Sequence, residues 1–375
     1  MVFQICIAVA TNILRRNYYR NMEMKNHFNR QPAKPNIFRL GLFCLLLVLA
    51  AAVNAQTNQQ VITVKNIYGE DAFGFTANTS DPSMRRLPDR IMSKKQSDVP
   101  EFVRLLAEYI NENSSNDYER VKKAHDWVAL NIRYDTQSFF SGRYSSQTFD
   151  AVIKRGSGVC AGYADVFKYL CDAIGLECII VNGYARGYNS DIFKTENVTK
   201  TNHAWNIVSI NDSKYLIDCT WDAGHVTGRN FVANYRTCYL FADPGIFIYD
   251  HFSYSSSTQL LDPMITAEEF EALPFLEPEF FETFETWPIL SKITEVIIGE
   301  SRAFEFTVKD GYLISYTWYT SAGVKNGNSM FPTSTSVRIT MPNLRPGNYF
   351  LRISVKKPGD RLYWSYAEFG FTVKN

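Results

Sequence analysis

The run Gly158-Val159-Cys160-Ala161-Gly162-Tyr163 constrains this chain more than any other segment, because it opens a helix whose far end is also marked. After Cys160, apolar residues recur at Ala164, Phe167, Leu170, Cys171 and Ile174, the spacing of a buried helical face, and Gly175-Leu176 supplies a glycine stop with its hydrophobic follower. Cys160 therefore falls in the first turn of a buried helix. Backbone N–H groups there lack intrahelical acceptors, and the helix dipole favours an anion, so a thiol in that turn ionises more readily. Gly156, Gly158 and Gly162 keep the approach tight. A glycine-flanked cysteine by itself reads as core, since cysteine is among the most buried residue types. Its downstream partners change that reading.

Asn202-His203-Ala204-Trp205-Asn206 and Ile217-Asp218-Cys219-Thr220-Trp221-Asp222 follow in order, so the chain presents thiol, imidazole and carboxylate in turn. Ala204 to Ile210 reads as a strand, Asn211-Asp212 as a turn and Tyr215 to Thr220 as the return strand. With a two-residue loop, His203 opposes Thr220 and Asp218 lies two positions away on the same face. Diagonal neighbours of that kind have Cβ atoms about 7–8 Å apart, within side-chain reach. The expected triad is Cys160 as nucleophile, His203 as its base and Asp218 as the group that orients and charge-stabilises His203. Asp222 is the second candidate for the acid.

Lys154 to Ala164, His203-Ala204-Trp205-Asn206 and Asp218-Cys219-Thr220-Trp221-Asp222 resemble the transglutaminase-like superfamily, as does the upstream pair His125-Asp126-Trp127-Val128 and Asn131-Ile132-Arg133-Tyr134-Asp135. Trp221-Asp222-Ala223-Gly224-His225-Val226, Tyr239 to Pro244, Asp250-His251-Phe252 and Gln259 to Pro263 are similar to its kyphoscoliosis peptidase branch. The resemblance runs from about His125 to about Phe281 and implies an α+β fold with a papain/transglutaminase-like core and acyl transfer through the Cys-His-Asp set. It also implies an oxyanion donor beside the cysteine's own N–H, for which Gln137, Gln147 and Trp127 are candidates. Trp127 shares helical spacing with Val121, Ala124 and Val128, which is the pattern of a core residue.

His125, His225 and His251 form no compact metal-ligand spacing with the cysteines, and no acidic loop has calcium-binding spacing, so neither metal nor cofactor is expected. Cys219 is expected on the opposite strand face from Asp218, and Cys171 and Cys178 in the core. A net charge of +1 argues against a nucleic-acid partner, and the resemblance implies a protein or peptide substrate.

Arg30, Lys34 and Arg39 precede an apolar run from Leu40 to Val53 that closes Val53-Asn54-Ala55, the pattern of a signal peptide cleaved after Ala55. The run is too short for a comfortable membrane span, so a secreted, periplasmic or cell-surface mature chain without an integral span is expected. Met24 reads as a more natural start than Met1. Seven cysteines, two of them in the leader, leave an odd five that fits one free reactive thiol.

The expected divisions are a leader over 1–55, an extension over 56–98, a transglutaminase-like domain over 99–287 and an immunoglobulin-like β-sandwich over 288–375. Val61 to Val64 reads as a strand, 76–95 as loop, and Val99 to Asn111 and Tyr118 to Ile132 as helices. In the last unit, apolar or alternating runs between Gly, Pro and Asn turns give a small antiparallel sandwich with Trp318 on a central strand. Two functional classes follow. One is an exported cysteine peptidase or transglutaminase-type enzyme; the other is a catalytically silent relative serving as a cell-surface binding or adhesion module.

Overall fold

The computed structural model describes residues 61–62, 80–188, 190–331 and 335–375, all within one compact unit spanning 59–375. The leader and most of the extension lie outside the described residues. Strand β1 is Val61–Ile62. The stretch read as loop holds three short helical turns, Pro82–Met84, Asp89–Met92 and Lys94–Ser97. The first forms because the Asp81 carboxylate accepts the Ser83 N–H and Pro82 is already set for a helical first position.

Helix α1, Val99–Glu112, is capped by Asp98, and α2, Asp117–Asn131, by Asn116, which accepts the Glu119 N–H. Strand β2, Arg133–Tyr134, precedes α3, Thr136–Ser141, and α4, Phe149–Arg155. Strand β3, Ser157–Gly158, pairs in parallel with β2 and sets Tyr134 opposite Gly158. Helix α5 runs Cys160–Ile174 and ends on Gly175 at φ 89°, a left-handed cap that glycine adopts without a Cβ penalty. Its buried residues Tyr163, Val166, Phe167, Leu170, Cys171 and Ile174 pack with Phe102, Leu106, Trp127 and Val128 of α1 and α2 in one core.

Behind α5 lies a five-stranded antiparallel sheet in the order β10-β4-β5-β6-β9. Its strands are β4 (Cys178–Ala185), β5 (His203–Ile210), β6 (Ser213–Ile217), β9 (Leu240–Ala242) and β10 (His251–Phe252). Between β6 and β9 come α6, Cys219–Ala223, and a separate hairpin of β7 (Gly224–Thr227) and β8 (Asn230–Ala233). Alternate residues of the sheet serve two cores: Val208, Ile210 and Ile217 join the α5 core, while Val181, Trp205, Ile207 and Leu216 join Tyr239 and Phe247 in a second one.

The C-terminal sheets enclose a third core that includes Trp287, Phe306, Trp318, Leu351 and Phe371. One sheet has four strands in the order β1, Phe284–Pro288, Ala303–Val308, Ser336–Thr340. The other carries Phe275–Leu276, Trp364–Lys374, Gly347–Lys356, Leu313–Thr320 and Lys325–Phe331. It departs from a purely antiparallel sandwich, since Ile293–Ile297 pairs in parallel with Trp364–Lys374. Among the described residues no helix is long and apolar enough to cross a membrane.

Candidate active site

The β5–β6 hairpin sets the geometry. Asn211 and Asp212 form the two-residue loop at φ 48° and 65°, backbone values that Asn and Asp tolerate and that match a strand's right-handed twist. Ile210 then pairs with Ser213 and Asn206 with Ile217. The return strand stops at Ile217, three residues earlier than the sequence suggests, because the Asp218 carboxylate caps α6. Its Oδ1 accepts the Thr220 N–H at 2.7 Å and the Trp221 N–H at 3.2 Å. Cys219 is thus a helical residue buried in the α5 core rather than a strand residue.

Capping leaves Asp218 Oδ2 for His203, whose Nε2 lies 2.5 Å away. Cys160, the first residue of α5, lies by His203, the first of β5, and the His203 ring and the Ala204 backbone N–H both favour the ionised form of its thiol. With Nε2 committed to Asp218, the ring nitrogen turned to the thiol is Nδ1. Cys160 is half-buried and unpaired, whereas Cys171, Cys178, Cys219 and Cys238 are buried.

Electrostatics divide the thiols further. Burial pushes the Cys160 thiol up, but the His203 charge, its hydrogen bond and the Ala204 N–H outweigh that and hold it below the ordinary thiol range. Burial opposes the charge on His203, yet the Asp218 carboxylate and then Cys160 push it up to about 10. Asp218 sits well below the usual carboxylate range: burial raises it, and the charges and hydrogen bonds of His203 and His251 overcome that. Burial is the leading cause that drives Cys171, Cys219 and Cys238 upward.

The other sequence candidates separate cleanly. Asp222 belongs to a different site: its Oδ2 lies 3.0 Å from His125 Nε2, and His125 Nδ1 faces Asp126 at 3.3 Å, all three side chains being fully buried. Trp127 is core, its ring 5.5 Å from Phe102. Gln147 braces the head of α5, its Oε1 accepting the Val159 N–H at 2.9 Å while its Nε2 donates to Ser145 O at 2.8 Å. It also lines a hollow of about 390 Å³ beside the cysteine with Ala161, Asp165, Ile180, Asn182 and Ala204. Gln137 lines a different hollow with Arg133 and Tyr134. His225, on β7, lies edge-on to Trp364 at 5.7 Å.

Three neighbours of the site receive no role there from the sequence and are placed only by the assembled strands. The Ala204 N–H is a backbone group. Tyr134 is placed by the β2–β3 pairing, and its phenol is pushed up by burial and then by the nearby Cys160. His251 arrives on β10, which pairs Phe252 with Tyr184, and its Nε2 contacts Asp218 Oδ2 at 3.1 Å. His203, Asp218 and His251 are the described group whose ligand atoms all lie within 4.8 Å of one another. Both Nε2 atoms point at the same carboxylate oxygen as hydrogen-bond partners, which does not offer their lone pairs to a metal.

Residues 67–218 match the family model described as the transglutaminase-like superfamily, the segment that ends on Asp218. Over that segment the chain is similar to transglutaminase-like domains. It is 28% identical over 222 residues to kyphoscoliosis peptidase of Mus musculus, covering 57% of this chain and 33% of that protein. To hillarin of Drosophila melanogaster it is 26% identical over 217 residues, covering 54% and 26%. The chain therefore spans about a third or less of the length of these relatives. Red sea bream transglutaminase, among solved structures, is 9% identical with a TM-score of 0.26, covering 78% of this chain and 65% of that one. The similarity thus falls in the expected superfamily, with kyphoscoliosis peptidase of the expected branch among the relatives.

Proposed function

We propose that this protein is an exported cysteine-nucleophile acyl-transfer enzyme acting on protein or peptide amides, a peptidase ahead of a transglutaminase, with Cys160, His203 and Asp218 as its triad. The observation that carries the reading is a half-buried thiol at a helix head, beside an imidazole and a backbone N–H that together favour its thiolate.

The chemistry follows from those contacts. The Cys160 thiolate attacks the amide carbonyl carbon, and the Cys160 N–H, which lacks an intrahelical acceptor, donates to the developing oxyanion. His203 passes its proton to the departing amine, leaving an acyl-enzyme. Water then attacks, His203 takes its proton, and the acid product leaves as the thiolate is restored. An amine in place of water gives cross-linking. Hydrolysis is preferred because kyphoscoliosis peptidase, by its name, is a peptidase. The export part rests on the leader pattern ending at Ala55, and N-terminal sequencing of the mature protein tests it.

A second reading, a catalytically silent binding module, draws on Gln147, whose amide is spent on Ser145 O instead of facing the thiol. Labelling with a thiol-reactive electrophile discriminates: Cys160 should react ahead of the other cysteines, and His203→Ala should abolish that preference. Peptide pools incubated with and without a primary amine, read by mass spectrometry, separate cleavage from cross-linking. Fast Cys160 labelling with no product from a broad pool favours the binding module; equal labelling of native and unfolded protein rejects the activated thiol.

A further inference from the structure

His251 has no role in the triad, yet it is completely buried and shares an acceptor with His203. Its Nε2 lies 3.1 Å from Asp218 Oδ2, and its Nδ1 contacts Asp250 Oδ1. The second Asp250 oxygen accepts the Tyr239 hydroxyl at 2.6 Å. The ring is stacked on Phe247 with centroids 4.1 Å apart, and Trp221 covers it at 4.4 Å.

A neutral imidazole has one N–H and one lone pair. Set between two carboxylates, a neutral His251 would direct its lone pair at a carboxylate oxygen on one side or the other. The imidazolium alone satisfies both contacts. Asp218 then faces two cations on one oxygen, and its other oxygen is already occupied by the Thr220 and Trp221 N–H groups.

We propose that His251 is a positioning residue for the Cys160 site: an imidazolium clamped between Asp250 and Asp218, which locks the Asp218 carboxylate and neutralises part of the charge that it presents to His203. This rests on the triad reading above, and it concerns the proton step. His203 must surrender a proton to the leaving amine, and a base bound too strongly to its carboxylate does so poorly. By sharing Asp218, His251 keeps His203 a better acid than a lone aspartate partner would. The charged and titratable groups that face His251 are Asp250 beside it, Asp218 at the head of α6, His203 on β5, Tyr239 ahead of β9 and Glu277 ahead of the helix Pro278–Thr283. Burial opposes its charge, and the Asp250 and Asp218 carboxylates prevail.

The test is direct observation of ring nitrogens in the full-length protein labelled with 15N-histidine, a chain with five histidines. His251 should show two protonated nitrogens at pH 7, assigned by their loss in His251→Gln. A bare nitrogen on His251 at pH 7 overturns the proposal. The second arm follows the deprotonation of His203 in the same spectra. His251→Gln keeps an N–H donor toward Asp218 without a charge, and Asp250→Asn keeps both rings while removing the carboxylate that holds the charge on His251. Each should move His203 deprotonation upward by about one pH unit, a tenfold weaker acid. A purely structural role lowers the urea midpoint and leaves that titration in place, which also overturns the proposal. If His251→Gln does not fold, Asp250→Asn decides. Neither arm needs turnover, so a slow-reacting Cys160 in the unaltered protein would reject the proposed function while the histidine spectra still judge His251.

Discussion

Replacing Asp218 by asparagine tests the electrostatic core of the site with a near-isosteric change. In Asp218→Asn the side chain keeps one oxygen for the Thr220 and Trp221 N–H groups, but an amide nitrogen stands where Oδ2 now meets two ring nitrogens. Donor would face donor, and His203 escapes by giving up its Nε2 proton and holding the remaining one on Nδ1, toward the thiol. The stake is large: His203 rises from 6.5 to about 10, about 3.5 pH units or about 5 kcal/mol, with Asp218 the leading favourable cause after the opposing effect of burial. In the unaltered protein the imidazolium persists until the pH passes about 10, so the thiolate–imidazolium pair spans the interval from the lowered Cys160 value up to that point. In Asp218→Asn the imidazolium is lost and Cys160 returns toward an ordinary thiol near 8.5. At pH 6.5 about 1% of such a thiol is ionised, so alkylation there should be slower than in the unaltered protein, with the two proteins converging by pH 9. Iodoacetamide kinetics from pH 5.5 to 9.5, with peptide mapping of Cys160 and circular dichroism to verify folding, provide the readout. A folded Asp218→Asn protein that keeps fast, pH-independent alkylation between pH 6 and 8 would refute the reasoning.

Three further outcomes are expected. Gly183 pairs directly with His203, and an added Cβ would run into the Phe252 carbonyl oxygen and the Trp205 ring; Gly183→Ala should cost about 1–3 kcal/mol in urea unfolding and slow Cys160 alkylation, because the strand must shift where it pairs with His203. Glu196 is the buried anion between Arg186 and Lys292, at 2.8 and 3.2 Å; Glu196→Gln leaves both cations uncompensated and should destabilise by about 3–5 kcal/mol, again read by urea. Leu351 is fully buried at the centre of the C-terminal sandwich, so Leu351→Ala should cost about 2–5 kcal/mol, and a loss under about 1 kcal/mol would contradict the packing described.

What the sequence reveals here follows the range of the interactions involved. The α5 helix is legible because its apolar spacing and Gly175 stop are local, and the β5–β6 register is legible because two turn residues fix it. The contact of His251 with Asp218 is hidden since the two lie 33 residues apart and meet only through the β10–β4 pairing. Lys325–Phe331 escapes notice because Lys-Asn-Gly-Asn-Ser-Met-Phe does not alternate; it is a strand by its pairing with Leu313–Thr320. The short helices of 82–97 are similarly masked by a proline-containing, polar composition, in which a single Asp81 side-chain cap decides the first turn.

The contrast among the thiols has a redox consequence. Oxidants and disulfides react with thiolates, and the reaction is selective for ionised, accessible sulfur. Cys160 combines partial exposure with a lowered ionisation point, whereas Cys171, Cys219 and Cys238 are buried and held in the protonated form. A mild peroxide or glutathione disulfide therefore finds one preferred target in the described structure, and its capture there blocks the same sulfur that would attack an amide. The fold thus leaves Cys160 the thiol most open to oxidation, reversible by a reductant at the sulfenic or mixed-disulfide stage.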